Sequence, residues 1–491
     1  MGWLSLAIWV PILFGVVLLA FSRDRHVRLV RWIALIGAVI SFLVTLPLYG
    51  GFKIGTPAMQ FVESADWIPR FNINYHLGVD GISLWFVLLT AFITLIVVIG
   101  SWESITERVN QYMAAFLILS GLMNGVFCAL DGMLFYVFFE ATLIPMYLII
   151  GVWGGPQKIY AAFKYFLYML IGSLLMLITM IYLYVKSGGS FDLMTWYALP
   201  LSGLAQTLLF FGFFAAFAVK VPMWPVHTWL PDVHVEAPTG GSVILAAIML
   251  KLGAYGFIRF AMPIAPDAAH EWAWLMIALS LIAVVYVGIV ALVQPDMKRL
   301  VAYSSVAHMG FVTLGFFIFS DLGAAGGIVQ MLSHGLVSAA MFLCIGVLYD
   351  RLHTREIAAY GGVINQMPKF AAFALLFAMA NCGLPGTVGF VGEWMVILGS
   401  VGFHFWVGVA VASALIWGAG YTLWMYKRVY LGPVANDHVK TMPDINAREF
   451  LMLALLAVAV LYVGIYPKPM TDVMDASVTN LLQHLAASKL N

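Results

Sequence analysis

Along this chain apolar residues run in blocks of about 20, and polar residues gather in the short stretches between them. A helix of that length crosses the ~30 Å hydrocarbon core of a bilayer. The pattern predicts fourteen spans, near 2–22, 30–48, 80–100, 112–130, 132–152, 163–185, 204–234, 241–262, 272–293, 299–319, 325–349, 370–400, 404–428 and 447–466. Two of them are long and carry breakers. Span seven is interrupted at Pro222 and Pro225, and span twelve at Cys382-Gly-Leu-Pro-Gly-Thr. Inside a membrane such breaks persist only where protein or water satisfies the freed backbone groups. The longest connection, 49–79, reads as a loop, and 467–491 as an amphipathic piece at the interface. The expected fold is therefore an all-α polytopic membrane protein, with 1–491 a single membrane domain.

Spans seven and twelve stand five apart. Five is odd, so spans 4–8 and 9–13 run in opposite senses, as an inverted repeat requires. Two inverted five-helix repeats, 112–262 and 272–428, are expected on this pattern alone, each with one broken helix.

Composition narrows the possibilities. The 491 residues are 63% hydrophobic and 10% charged, against ~25% charged in soluble domains. A net charge of +1 makes no case for nucleic acid. Met1 leads straight into Trp3–Phe21 without a charged leader or small-residue cleavage site, so this segment is read as a retained helix. Cys128, Cys344 and Cys382 lie far apart in apolar blocks and read as small buried hydrophobes. They give no argument for an iron–sulfur, haem or zinc site, and no glycine-rich nucleotide loop is present in a strand–helix setting. Energy must come from an ion gradient or a partner. Of the 24 basic residues, sixteen fall on the side of the first loop (Arg23, Arg25, Arg28, Arg31) and six, Arg259 among them, on the other. The positive-inside rule then sets both termini outside.

The two remaining basic residues, Lys220 and Lys251, lie within the membrane. With them are Glu140 in FYVFFEATLIPMY, His308 in SSVAHMGFV, His334 in QMLSHGLVSAAMF, and Glu393 in VGFVGEW just after the second break. A charge at mid-membrane costs ~2.5–3.5 kcal/mol on insertion scales. One could be an isolated helix lock. Several along the chain argue for a polar path. The plainer alternatives are a Glu140–lysine lock, lysines that snorkel to the interface, and histidines that hydrogen-bond within the core. His227 and His234, in the broken segment, either carry protons or shape the turn. Carboxylate, amine and imidazole together suit proton transfer, because low dielectric makes the neutral forms accessible.

KVPMWPVHTWLPDVHVEAPTGGSVILAAIMLKLGAYGF resembles the proton-translocating membrane subunits of respiratory complex I, which are related to subunits of Mrp-type cation/proton antiporters. MKRLVAYSSVAHMGF, MLSHGLVSAAMFLCIGVLYDR and LPGTVGFVGE match further blocks of the family, and the resemblance covers spans 3 to 13. It is most similar to the M type. Glu393 stands where L and N types carry a lysine, and the chain ends soon after span fourteen without the long lateral helix of the L type.

The resemblance implies a proton-translocating membrane-arm subunit of NADH:quinone oxidoreductase, multi-pass in a bacterial inner membrane with both termini periplasmic. It implies a Glu140–Lys220 pair, Lys251 as central relay, His308 and His334 on the path outward, and Glu393 as the exit-side carboxylate. NADH, FMN, Fe–S clusters and quinone would belong to partner subunits, with no redox site, cofactor or metal in this chain. L-type and N-type antiporter-like subunits and membrane lipids would be its neighbours. The same fold admits a subunit of an Mrp-type antiporter or a membrane-bound hydrogenase, or a purely structural spacer.

Overall fold

Runs of Leu, Ile, Phe, Val and Ala close their backbone hydrogen bonds within one helix, as a bilayer demands. The computed structural model, which describes residues 2–21 and 25–490, is accordingly helical; Met1 and Arg23 lie outside these residues. The chain runs through α1 (Trp3–Leu19), α2 (Val27–Gly50), α3 (Ser83–Gly100), α4 (Val109–Cys128), α5 (Gly132–Trp153) and α6 (Lys158–Lys186). The first broken span is α7 (Gly203–Lys220) and α8 (Trp229–Glu236). Then come α9 (Thr239–Ile264), α10 (Ala273–Leu292), α11 (Met297–Phe317) and α12 (Asp321–Leu352). The second broken span is α13 (Pro368–Asn381) and α14 (Val388–Phe403), followed by α15 (Phe405–Tyr430), α16 (Ala447–Ile465) and α17 (Lys468–Ala486). Twelve helices among the described residues are long and apolar enough to cross a membrane. The all-α polytopic class stands.

Both breaks satisfy their own backbone. Pro222 and Pro225, each after a cis peptide bond, cannot continue α7. The carbonyls this frees are taken up locally: Ala218 O by Met223 N at 2.7 Å and Val219 O by Trp229 Nε1 at 2.9 Å. In the second break Gly383 and Gly386 have φ of +78° and +90°, where a side chain is strained.

The 49–79 connection, expected to be a loop, holds an antiparallel hairpin of β1 (Gln60–Ile68) and β2 (Ile73–Val79). It is fixed by what it touches. Glu63 accepts from the backbone N–H groups of Leu4 (2.9 Å) and Ser5 (3.1 Å) at the start of α1, and Asp131 accepts from Asn74 N at 3.1 Å.

The C-terminal piece forms an amphipathic helix whose apolar face turns to the bundle. α17 buries Met470, Val473, Met474, Val478 and Leu481, and packs on α12 and the end of α9. Beyond it, Lys489 Nζ donates to the carbonyls of Trp196 and Ile264 at 2.9 Å. Burial pushes this ammonium down to about 8, partly offset by Asp267. The folded state then binds fewer protons than the unfolded one between pH 8 and ~10.4, so docking strengthens as pH rises through that window. Hydrogen exchange at 480–489, corrected for intrinsic rates, is expected to slow from pH 8 to 10; exchange that quickens contradicts this.

The most enclosed helices are α9, α11 and α12. They carry Lys251, His308 and His334.

Candidate functional site

Lys251 sits mid-way along α9, fully buried. The preceding turn, Leu245–Met249, is a π-turn, a widened geometry common at functional sites. Ala246 O in this turn accepts from Lys251 Nζ at 2.5 Å. The same ammonium lies 2.6 Å from His334 Nδ1 on α12. A charged lysine donates to Nδ1 and leaves the ring hydrogen on Nε2; a neutral amine accepts from Nδ1–H. One proton can therefore sit on either side of this contact.

Beyond it the polar atoms are open. His334 Nε2, and Gln330 Oε1 one turn earlier, have no partner among the described residues. Both residues line a cavity of about 10 Å³ with His308, Asn381 and Glu393. That is close to the room a single water needs, in a polar setting that would hold it. The His334 and His308 rings are 5.6 Å apart between centroids.

His308, on α11, reaches Glu393 with Nε2 at 3.1 Å from Oε1. Its other nitrogen lies 3.3 Å from Ser304 Oγ, which also contacts Tyr421 OH (2.9 Å) and Asn381 Nδ2 (3.3 Å). Glu393 is seated by the second break. Gly383 is favoured by its φ, and a Cβ there would come 2.6 Å from Glu393 Oε2 and push the carboxylate from its seat. Behind Glu393 a second cavity of about 10 Å³ is lined by Cys382, Trp417 and Tyr421.

Four of the six candidate residues thus form one buried line, Lys251–His334–His308–Glu393. The other two stand differently. Lys220 ends α7, where the negative end of the helix dipole favours a cation. Its Nζ donates to Thr142 Oγ1 at 3.3 Å and lies 4.5 Å from the centre of the Phe139 ring. Glu140 is only half-buried, on a face of α5 that leaves Val137 and Ile144 exposed, and its Oε1 has no partner. The two groups form no ion pair within 4 Å among the described residues, although the resemblance implied a pair. The end of α7 does reach α9: a Cβ on Gly253 would meet Lys220 Cβ and the backbone atoms Phe217 O and Val221 N, each at 2.9 Å.

His234 is fully buried, stacked on Phe342 at 4.4 Å, with neither ring nitrogen partnered; His227 Nδ1 is unpartnered too. Among the described residues no hydrogen bond, ion pair or ring contact joins either to the line, although His234 lies close enough for its charge to be felt at Lys251 and His334. Residues that the sequence reading passed over are Gln330, Ser304 and Asn381. Gln330 and Ser304 each stand four residues before a relay histidine on the same helix, and Asn381 immediately precedes the second break. That spacing was the available signal. Arg259, counted on the outer side, is instead buried within α9 and paired with Asp80 at 2.7 Å.

Residues 129–416 match the family model described as NADH:quinone oxidoreductase/Mrp antiporter, transmembrane. The chain is 50% identical to NADH-quinone oxidoreductase subunit M of Rhodobacter capsulatus, over 99% of this chain and 97% of that one. Its fold superposes on a chain of respiratory complex I from Thermus thermophilus with a TM-score of 0.90 at 31% identity, covering 99% and 100% of the two chains. It also resembles a chain of the Mrp complex from Dietzia, with a TM-score of 0.83 at 21% identity and coverage of 98% and 55%, a likeness of fold alone.

Proposed function

This chain belongs to the NADH:quinone oxidoreductase/Mrp antiporter membrane family, and from that premise we propose how its buried groups move a proton. It is a proton-translocating membrane-arm subunit of respiratory complex I, of the M type, and works within a multisubunit NADH–quinone oxidoreductase. The 50% identity along nearly the whole chain favours this over the Mrp-type antiporter reading.

The observation that carries the mechanism is a pair of buried contacts, Lys251–His334 and His308–Glu393, separated by a cavity that His334, His308 and Glu393 all line. Lys251 passes a proton across the 2.6 Å contact to His334. A water in the adjoining cavity takes the proton from His334 Nε2 and delivers it to His308 Nδ1, which exchanges its 3.3 Å contact with Ser304 for the water, and His308 gives the proton on Nε2 to Glu393 at 3.1 Å. Glu393 releases it to the hairpin side. Lys220 and Glu140 are the control element. In the present state the ammonium rests on Thr142. When it swings to Glu140, the positive charge felt by Lys251 changes and so does the ease of the first transfer.

Transport runs from cytoplasm to periplasm in a bacterial inner membrane, with both termini periplasmic, and residues 112–262 and 272–428 act as inverted halves. NADH, FMN, Fe–S clusters and quinone sit in partner subunits, and L- and N-type subunits flank this one. The six residues Glu140, Lys220, Lys251, His308, His334 and Glu393 carry the work, without a redox site here. In membranes containing the assembled complex, Glu140→Ala or Lys220→Ala is expected to lower NADH:quinone turnover and proton pumping together. Wild-type pumping in both variants removes the control element from the mechanism.

A further inference from the structure

Further polar side chains follow Lys251 along α9, on the side away from the Ala246 and His334 contacts of its Nζ. Lys251, Tyr255 and Arg259 stand at i, i+4 and i+8 on α9, one above the other, and all are buried. Arg259 Nε donates to Tyr255 OH at 3.0 Å, and Arg259 Nη2 donates to Asp80 Oδ1 at 2.7 Å. Past this pair, on the hairpin side, opens a cavity of about 300 Å³ lined by Asp80, Tyr197, Arg259, Ser477, Asn480 and His484. A proton leaving along this row would reach the outside without passing His334, His308 or Glu393.

The hydrogen bonds close the row. Tyr255 OH spends its one hydrogen on Phe127 O, at 3.0 Å, and its oxygen accepts from Arg259. A backbone carbonyl does not pass a proton on, and a guanidinium donates without giving one up. The hydroxyl therefore has no onward acceptor. Around it the rings of Phe86, Phe127 and Tyr255 pack at 5.1–6.5 Å between centroids. One oxygen of Asp80 is occupied as well: Oδ1 accepts from Ile82 N, Ser83 N and Arg259. The contrast with the lateral side is direct, for there His334 Nε2 and Gln330 Oε1 face a cavity unpartnered.

We propose that Arg259, held by Asp80 and Tyr255, is the barrier that stops protons from leaving Lys251 directly toward the hairpin side, so that the only outward route is through Glu393. The fixed positive charge repels a hydrated proton, as arginines do in proton-excluding pores. Arg259 acts here as a positioning residue: it decides where the proton leaves and does not carry it. This rests on the reading of Lys251 as the relay group.

The test is the passive proton permeability of proteoliposomes holding the assembled complex, followed by decay of an imposed pH gradient without NADH. Arg259→Gln is expected to raise the leak several-fold, and Arg259→Gln combined with Lys251→Ala to return it to the wild-type level, because the leak runs through Lys251. Asp80→Asn, which keeps the cation, is expected to stay tight; a merely structural pair would respond alike to loss of either partner. An assembled Arg259→Gln complex that stays tight overturns the proposal, as does a leak that persists in the double variant. Should Arg259→Gln fail to assemble, Arg259→Gln combined with Asp80→Asn decides, since it removes the cation without leaving Asp80 as an unpaired buried carboxylate. A leak supports the barrier and a tight membrane refutes it. If Lys251→Ala alone pumps normally, the relay reading fails; if it abolishes pumping while Arg259→Gln stays tight, only the barrier fails.

Discussion

Lys251→Ala is expected to abolish proton pumping by the assembled complex, with the largest loss of any single change in this chain. The substitution removes the group that both receives and donates the proton, and nothing nearby replaces it. His334 Nδ1 and Ala246 O, each served by Lys251 Nζ, are left without that donor. An unsatisfied buried polar group costs ~1–3 kcal/mol, which a protein of this size tolerates better than it tolerates loss of the step itself. A positioned acid–base group contributes ~10²–10⁴-fold to a transfer, so the pumping rate should fall by at least about tenfold. Lys251→Arg sharpens the result. It keeps the charge but cannot release a proton, and it is expected to be as inactive as alanine. Pumping retained in Lys251→Arg would show that the residue supplies charge rather than protons.

Glu393→Gln is the second. The amide keeps the size of the side chain and its oxygen can still accept from His308, so packing around the second break should survive. What it removes is a carboxylate able to take a proton at 3.1 Å from His308 Nε2 and let it go. The expected outcome is an assembled complex whose pumping falls by about tenfold or more, with Glu393→Asp partly active if water fills the missing length. Pumping measured against NADH oxidation decides it: normal pumping in Glu393→Gln means the proton leaves elsewhere.

The helices were legible in the sequence because lipid-crossing segments have a coarse signature of length and hydrophobicity. The two breaks were legible because proline and glycine act locally; Pro222, Pro225, Gly383 and Gly386 are where α7 and α13 stop. The relay residues were legible singly, because a lysine or glutamate in an apolar block stands out. Their partners were not. That Lys251 meets His334 depends on how α9 lies against α12, 83 positions apart in the chain. The partner of Arg259 was hidden for the same reason, because Asp80, which pairs with it, stands 179 positions away. The hairpin at Gln60–Val79 was missed because only β2 carries a buried face, while most of β1 stays exposed, so neither strand alternates cleanly.

The way α17 closes over the Asp80 turn bears on how the protein is made. Gly81 N donates to Ser477 Oγ at 3.0 Å, and a Cβ on Gly81 would lie 2.0 Å from Val473 O, so the two segments fit with no room for a side chain. Ser477 is 396 residues later in the chain. The turn that holds Asp80 is therefore uncovered from the moment α3 is inserted until the last helix is synthesised and docks. A nascent or truncated chain can hold α9, α11, α12 and α14 and still leave the turn that holds Asp80 without its cover.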